Sequence, residues 1–202
     1  MNQPTTSRQK TATIVVLISG NGSNLQAIFD ACASGELATQ VVAVISNKRD
    51  AFGLERAQRA NVPAIIKPKF KEQDRRIYDA ELADLVAVYQ PDWIVLAGWM
   101  RVLSSEFLDR FPQRVVNLHP ALPGTFPGTR AIERAYAAYR AGEITQTGVM
   151  VHLVPDEGID NGPVLAQEII SIKPEDTLES LEARIHTVEH RLLVATLKNL
   201  TT

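Results

Sequence analysis

The sequence predicts an α/β fold: a mostly parallel sheet flanked by helices, with an antiparallel strand pair near the C-terminus. Three observations carry this. Runs such as TATIVVLIS and QVVAVISN are continuously apolar and β-branched, as strands buried on both faces are. Segments with helical spacing separate these runs, the pattern of a sheet built from crossover units. Two late runs, TGVMVHLV and PVLAQEIISI, lie too close together for a crossover, which makes them an antiparallel pair.

The elements follow in order. TATIVVLIS is the first strand. GNGSN leads into LQAIFDACASG, a helix ending at Gly35. QVVAVISN is the second strand, residues 54–60 a short helix, and VPAIIK the third strand. Lys71 to Tyr89 has helical spacing and Pro91 stops it. DWIVLAG is the fourth strand, and SSEFLDRF a short helix with Ser104 or Ser105 as N-cap. RVVNLHP is the fifth strand, and residues 130–141 are helical. The chain closes on TLESLEARIHTVEHRLLVATLKNL, a long amphipathic helix. Right-handed crossovers put the functional loops at the carboxyl ends of the strands.

The 202 residues suit one domain, residues 11–202, after a polar segment 1–10 expected to be a flexible tail. The net charge of −2, from 21 basic and 23 acidic residues, argues against a broad nucleic-acid surface. Cys32 is the single cysteine, so there is no internal disulfide and no cysteine-rich zinc site. The N-terminus has no apolar signal core, and no run approaches the ~20 apolar residues of a membrane span. The expectation is a cytoplasmic enzyme or binding domain with no nucleic-acid or membrane partner.

Gly20-Asn21-Gly22-Ser23-Asn24 joins the first strand to the first helix. Small residues let backbone approach a ligand, and a helix N-terminus offers free N–H groups to a phosphate. Leu25 stands where a dinucleotide fingerprint has its third glycine, and no G-K-[ST] follows, so a monophosphate fits best. The loop serves equally as a tight turn with Ser23 or Asn24 as N-cap.

In VVNLHP, Asn117 and His119 are two residues apart on a strand and share a face. An amide donor beside an imidazole suits a developing oxyanion and a proton transfer. The plainer alternative is a polar pair capping a turn. Residues 155–163, PDEGIDNGP, hold three carboxylates among turn residues. The chemical reading of this loop is a carboxylate beside His119, raising the imidazole pKa. His186 and His190 have the i,i+4 spacing of a zinc pair but lack H-E-x-x-H, so no metal site is expected.

Together, IVVLISGNGSNLQAI, VLAGWMRVLSSEFL, VVNLHPALPGTFPG, VHLVPDEGIDNGPVLAQ and TVEH resemble the phosphoribosylglycinamide formyltransferases, in the folate-dependent formyltransferase family. The resemblance implies a Rossmann-like sheet, the formyltransferase fold. It also implies formyl transfer from the co-substrate 10-formyltetrahydrofolate to the amine of glycinamide ribonucleotide, in purine biosynthesis. It assigns catalysis to Asn117, His119 and Asp160. It puts the ribonucleotide on Gly22, Ser23, Asn24, Leu25 and Glu189. It puts the folate on Met100, Arg101, Val102, Leu103 and Asn117, with the 155–160 loop around the pterin and Arg75 near the tail. Partners are then small molecules, with a homodimer left open. The loop HPALPGTFPG departs from the family's HPSLLPxxPG form, and His152 to Asp160 is one residue longer. In this reading Asn117 donates to the developing oxyanion, and His119 acts as a cation that Asp160 favours.

Two relatives share the chemistry. Methionyl-tRNA formyltransferase carries a further tRNA domain, and formyltetrahydrofolate deformylase a further regulatory one. Neither is expected for 202 residues, and the near-neutral charge disfavours tRNA. A non-catalytic nucleotide-binding module explains GNGSN, but not Asn117, His119 and Asp160 together.

Overall fold

The computed structural model describes residues 11–202; the tail expected over residues 1–10 lies outside them. The strands are β1 (Ala12–Ile18), β2 (Thr39–Ser46), β3 (Ala64–Ile66), β4 (Trp93–Leu96), β5 (Val115–His119), β6 (Gln146–Leu153) and β7 (Val164–Ser171). They form one seven-stranded sheet in the order β3-β2-β1-β4-β5-β6-β7. The pairings β3–β2, β2–β1, β1–β4 and β4–β5 are parallel. β6 runs antiparallel to both β5 and β7. The late antiparallel pair is therefore one reversed strand between two that run the other way.

Strict alternation in β1 explains why its sequence is apolar from Ile14 to Ile18. Ile14, Val16 and Ile18 pack with Leu25 and Ile28 of α1 (Ser23–Ser34) and with Leu181, Ile185 and Leu193 of α6 (Leu178–Thr201). Val15 and Leu17 face the other way, onto Tyr78, Leu82 and Val86. Those three belong to the helix Arg75–Ala87, which is α3; the Gly53–Arg59 helix is α2. Both faces are covered over this stretch, which is why it carries no polar residue.

Two helix boundaries differ from expectation. α3 starts at Arg75 rather than Lys71, because the Asp74 carboxylate accepts from the N–H groups of Arg76 (2.7 Å) and Ile77 (3.2 Å) and caps it there. α4 (Ser105–Leu108) is a single turn rather than the whole of SSEFLDRF. Ser104 takes its N-cap position, but the hydroxyl makes no capping bond. α5 (Ala131–Arg140) falls within the expected 130–141. No helix among the described residues is long and apolar enough to cross a membrane.

The long helix α6 is anchored at its start. Thr177 and Ser180 form a reciprocal capping box. The buried Asp176 carboxylate takes the Arg184 guanidinium, the Lys173 N–H (2.7 Å) and the Ser180 hydroxyl (2.9 Å). Tyr136 of α5 donates to the Asp176 carbonyl at 3.0 Å. The Arg184 hydrogen bonds outweigh burial and hold the Asp176 carboxyl well below the usual carboxylate range.

A depressed carboxylate stabilises the fold above its unfolded pKa, and that support is lost as pH falls through the folded value. Asp176→Asn is expected to lower Tm at neutral pH by roughly 3–6 °C. The difference should start to shrink only below about pH 4, where the unfolded chain takes up the proton, and should vanish only as pH approaches the lower folded value. Thermal melts across pH measure both.

Candidate active site

Parallel pairing puts the carboxyl ends of β1, β4 and β5 on one edge of the sheet. The GNGSN loop leaves that edge from β1 and His119 ends β5. The two are separated by two strand spacings, roughly 10 Å.

Asn117 and His119 share a face of β5, and the antiparallel register sets His152 of β6 opposite Asn117. Asp160 comes to them from the β6–β7 loop, with its backbone in the left-handed region at φ 51°. Its Oδ2 lies 3.2 Å from His119 Nδ1 and accepts from the Gly128 N–H at 2.7 Å. Its Oδ1 accepts from Asn117 Nδ2 at 3.0 Å and lies 3.6 Å from His152 Nε2. His152 Nδ1 sits 2.8 Å from the Leu153 carbonyl, so the proton belongs there and Nε2 accepts from Asn117 Nδ2 at 3.1 Å. Both amide hydrogens of Asn117 are thus engaged.

His119 is 3% exposed, and its Nε2 lies 3.1 Å from the Phe126 carbonyl. Burial pushes its pKa below the ordinary histidine value. The Asp160 charge and the Phe126 carbonyl pull it back only in part, and His152 and Arg134 oppose them. The sequence-based expectation of a raised pKa is corrected here: the carboxylate arrives as expected, but desolvation wins. Asp160 itself is disfavoured by burial, yet the His152 ring beside it, the Gly128 N–H and the His119 imidazole outweigh that and hold it below the usual carboxylate range.

The three carboxylates of residues 155–163 part company. Only Asp160 reaches the histidines. Asp156 accepts from the Gly158 N–H at 2.8 Å and shapes the turn. Glu157 takes the Arg75 guanidinium and the Ser105 N–H (3.0 Å).

A cavity of about 410 Å³ opens beside this cluster, with Asn117, His119, His152 and Asp160 in its wall. Met100, Arg101, Val102 and Leu103 line it as well. That strip is held at both ends. The Met100 N–H donates to Ser19 Oγ (2.8 Å), whose own hydroxyl donates to Asn47 (2.6 Å). The Ser104 N–H donates to the fully buried Asp79 carboxylate at 2.8 Å. Arg101 lies over the Tyr78 ring at 5.1 Å. Arg75 does not line the cavity; it stands on Glu157, in the loop that does.

The structure corrects the capping residue expected for the glycine loop. Gly22, not Ser23 or Asn24, is the N-cap of α1, at φ 75° and with no side-chain capping bond. A Cβ on Gly22 would come within 2.7 Å of Gly53 Cα, so backbone packs on backbone there. The first intrahelical bond runs from Gln26 N–H to the Gly22 carbonyl (2.9 Å), so the N–H groups of Ser23, Asn24 and Leu25 precede the ladder. The Leu25 side chain is fully buried, and only its N–H can face a ligand. Asn24 Nδ2 donates to Glu189 at 3.4 Å, which brings α6 to this loop. Glu189 is 5% exposed and pairs with His186 Nδ1 at 2.7 Å. His186 thus serves a carboxylate rather than a zinc pair with His190. Among the described residues, no three His, Cys, Asp or Glu side chains converge as metal ligands. Cys32 lies on α1, and burial pushes its thiol pKa up.

The sequence reading missed three groups. His152 was detectable through strand alternation only once its register against β5 was known. The Phe126 carbonyl and Gly128 N–H are backbone groups and leave no residue-type signal.

The formyl transferase family matches residues 12–197. The phosphoribosylglycinamide formyltransferase of Dictyostelium discoideum is 46% identical, covering 95% of this chain and 99% of its own length. That of Escherichia coli is 42% identical over 89% of this chain and 82% of its own. A crystal structure of glycinamide ribonucleotide transformylase 1 from Symbiobacterium toebii superposes with a TM-score of 0.88 at 39% identity, covering 95% of this chain and 88% of that one.

Gly22→Ala forces a Cβ into the Gly53 backbone at a left-handed φ. It is expected to weaken binding of a ribonucleoside monophosphate at this loop by roughly ten-fold, about 1.4 kcal/mol. Titration calorimetry reads this, and unchanged affinity overturns the reading of this loop as a phosphate site.

Proposed function

The chain belongs to the formyl transferase family, and from that premise we propose its reaction and the residues that perform it. The enzyme transfers the formyl group of 10-formyltetrahydrofolate to the amine of glycinamide ribonucleotide. The products are formylglycinamide ribonucleotide and tetrahydrofolate, a step of de novo purine biosynthesis. The observation that carries the reading is the meeting of Asn117, His119 and Asp160 in one cavity wall, beside a helix N-terminus suited to a phosphate.

In the proposed assignment the substrate phosphate takes the N–H groups at Ser23, Asn24 and Leu25, and Glu189 takes the ribose hydroxyls. The folate lies along Met100–Leu103 and Asn117, with its tail towards Arg75. Reaching Arg75 means competing with Glu157 for the guanidinium.

The amine nitrogen attacks the formyl carbon, and the carbonyl electrons move onto oxygen. Asn117 must release one amide hydrogen to donate to that oxygen. The bond to Asp160 is charge-assisted and about twice as strong as a neutral one, so the His152 contact is the one that yields. His119, neutral at rest, accepts the proton leaving the amine, directly or through water. The resulting imidazolium is stabilised by Asp160 at Nδ1. The carbon–nitrogen bond to the folate then breaks, and the proton passes to the departing nitrogen.

Residues 11–202 act as one catalytic domain in this reading, and its partners are small molecules. A cytoplasmic location and a homodimer belong to the same proposal; sedimentation velocity tests the dimer.

Asn117→Ala and His119→Ala are each expected to lower kcat by roughly 10²–10³ while the protein stays folded. Near-parental kcat in either overturns the assignment. Substrate binding without any turnover in the parent would favour a binding module instead.

Asp160→Asn removes the charge that partly restores the His119 pKa. With His119 as the base, activity rises with pH through that pKa. The acidic limb of kcat/KM should therefore move to lower pH while kcat itself falls. A limb that stays in place sinks the coupling.

A further inference from the structure

The segment between His119 and α5 closes over the catalytic residues in an unfavourable backbone conformation. Phe126 sits at φ 46°, in the left-handed region. A bulky residue rarely adopts it, and a following proline drives its predecessor towards extended backbone instead. Pro127 is that following residue. Such a conformation persists only where its surroundings over-determine it.

The surroundings here are few and specific. Arg134, one turn into α5, donates from Nη2 to the carbonyls of both Phe126 and Pro127, each at 2.6 Å. Its Nε donates to the Arg130 carbonyl at 3.4 Å, and its guanidinium lies 6.0 Å from the Phe126 ring centre. From the other side, the Gly128 N–H is held by Asp160. The Phe126 carbonyl has a second partner, His119 Nε2, at 3.1 Å. One strained carbonyl is thus shared between an arginine and the imidazole assigned as the base.

We propose that Arg134 is a positioning residue for formyl transfer, acting on His119 through the Phe126 carbonyl that both side chains share. The proposal rests on the assigned role of His119. Arg134 does two things there. It fixes where the carbonyl stands relative to Nε2. It also draws on the carbonyl's lone pairs, so the imidazole is held less tightly and can be released to the substrate. Without Arg134 the carbonyl is free to bind Nε2 alone. The imidazole then gains a stronger acceptor and loses a nearby positive charge, and both changes favour its protonated form.

The groups facing His119 from each element packed on it make the sign definite. Asp160 comes from the β6–β7 loop and, with the Phe126 carbonyl, favours the cation; His152 from β6 and Arg134 from α5 disfavour it. Deleting Arg134 therefore moves the His119 midpoint upward. That is the opposite of the direction for Asp160→Asn.

The experiment uses full-length Arg134→Gln and Arg134→Lys. The His119 ring is titrated by NMR without substrate, and kcat and KM are measured across pH. Arg134→Gln is expected to raise the His119 midpoint and lower kcat at neutral pH roughly ten-fold, with KM for both substrates nearly unchanged. Arg134→Lys keeps the charge but not the fork, and should restore the midpoint more than kcat. Phe126→Gly relieves the left-handed strain, so adding Arg134→Gln to it should cost less rate than in the parent. An unmoved midpoint, whatever happens to kcat, overturns the proposal. A raised midpoint with parental kcat at every pH upholds the coupling and instead defeats the assignment of His119 as base.

Discussion

The site is organised around one buried anion. The Asp160 carboxylate is largely withdrawn from water, a placement that costs several kcal/mol unless donors compensate it. Those donors come from separate parts of the chain: Asn117 and His119 on β5 and the Gly128 N–H before α5, with the His152 ring of β6 beside them. Satisfying one charge therefore draws down the segment between β5 and α5 and fixes the face of β5. It also sets the β6–β7 loop, where tight backbone is unavoidable. A Cβ on Gly162 would fall 1.9 Å from the Leu153 carbonyl, and one on Gly158 would fall 2.3 Å from the Asn161 side chain. The two glycines are a consequence of where Asp160 must stand.

The sheet divides the remaining work. Its parallel half ends at the glycine loop of β1, where the helix N-terminus is left open because Gly22 brings no capping side chain. Its reversed strand, β6, puts His152 against Asn117 at the same edge. α6 joins the ends of the chain, carrying Glu189 to Asn24 from a start that Asp176 holds. A single helix of 24 residues thus links its capped end to the glycine loop.

Much of this was legible in the sequence, for physical reasons. Apolar runs covered on both faces are a strong signal, so the strands and the α/β class could be read directly. The i,i+2 rule put Asn117 and His119 on one face without any tertiary information. Boundaries that depend on one capping side chain were harder: Asp74 ends the segment before α3, although the helical spacing runs back to Lys71. The three carboxylates of residues 155–163 look alike in sequence, and only the tertiary fold separates Asp160 from the turn-forming Asp156 and the arginine-bound Glu157. Backbone partners such as the Phe126 carbonyl had no signal at all.

The direction of the His119 pKa shows where residue-level reasoning stops. A carboxylate beside an imidazole favours the cation, and the sequence supports that inference. Burial to 3% exposure opposes it, and no pattern of residue types measures burial at a loop-covered strand end. The outcome suits the proposed chemistry better than a permanent cation would. A resting imidazolium could not accept the amine's proton. In the proposed mechanism a buried neutral ring with acceptors at both nitrogens becomes a stable cation only when the amine gives up its proton and charge appears on the substrate oxygen. The stabilisation is then spent on the transition state rather than on the ground state, the condition under which binding energy raises kcat.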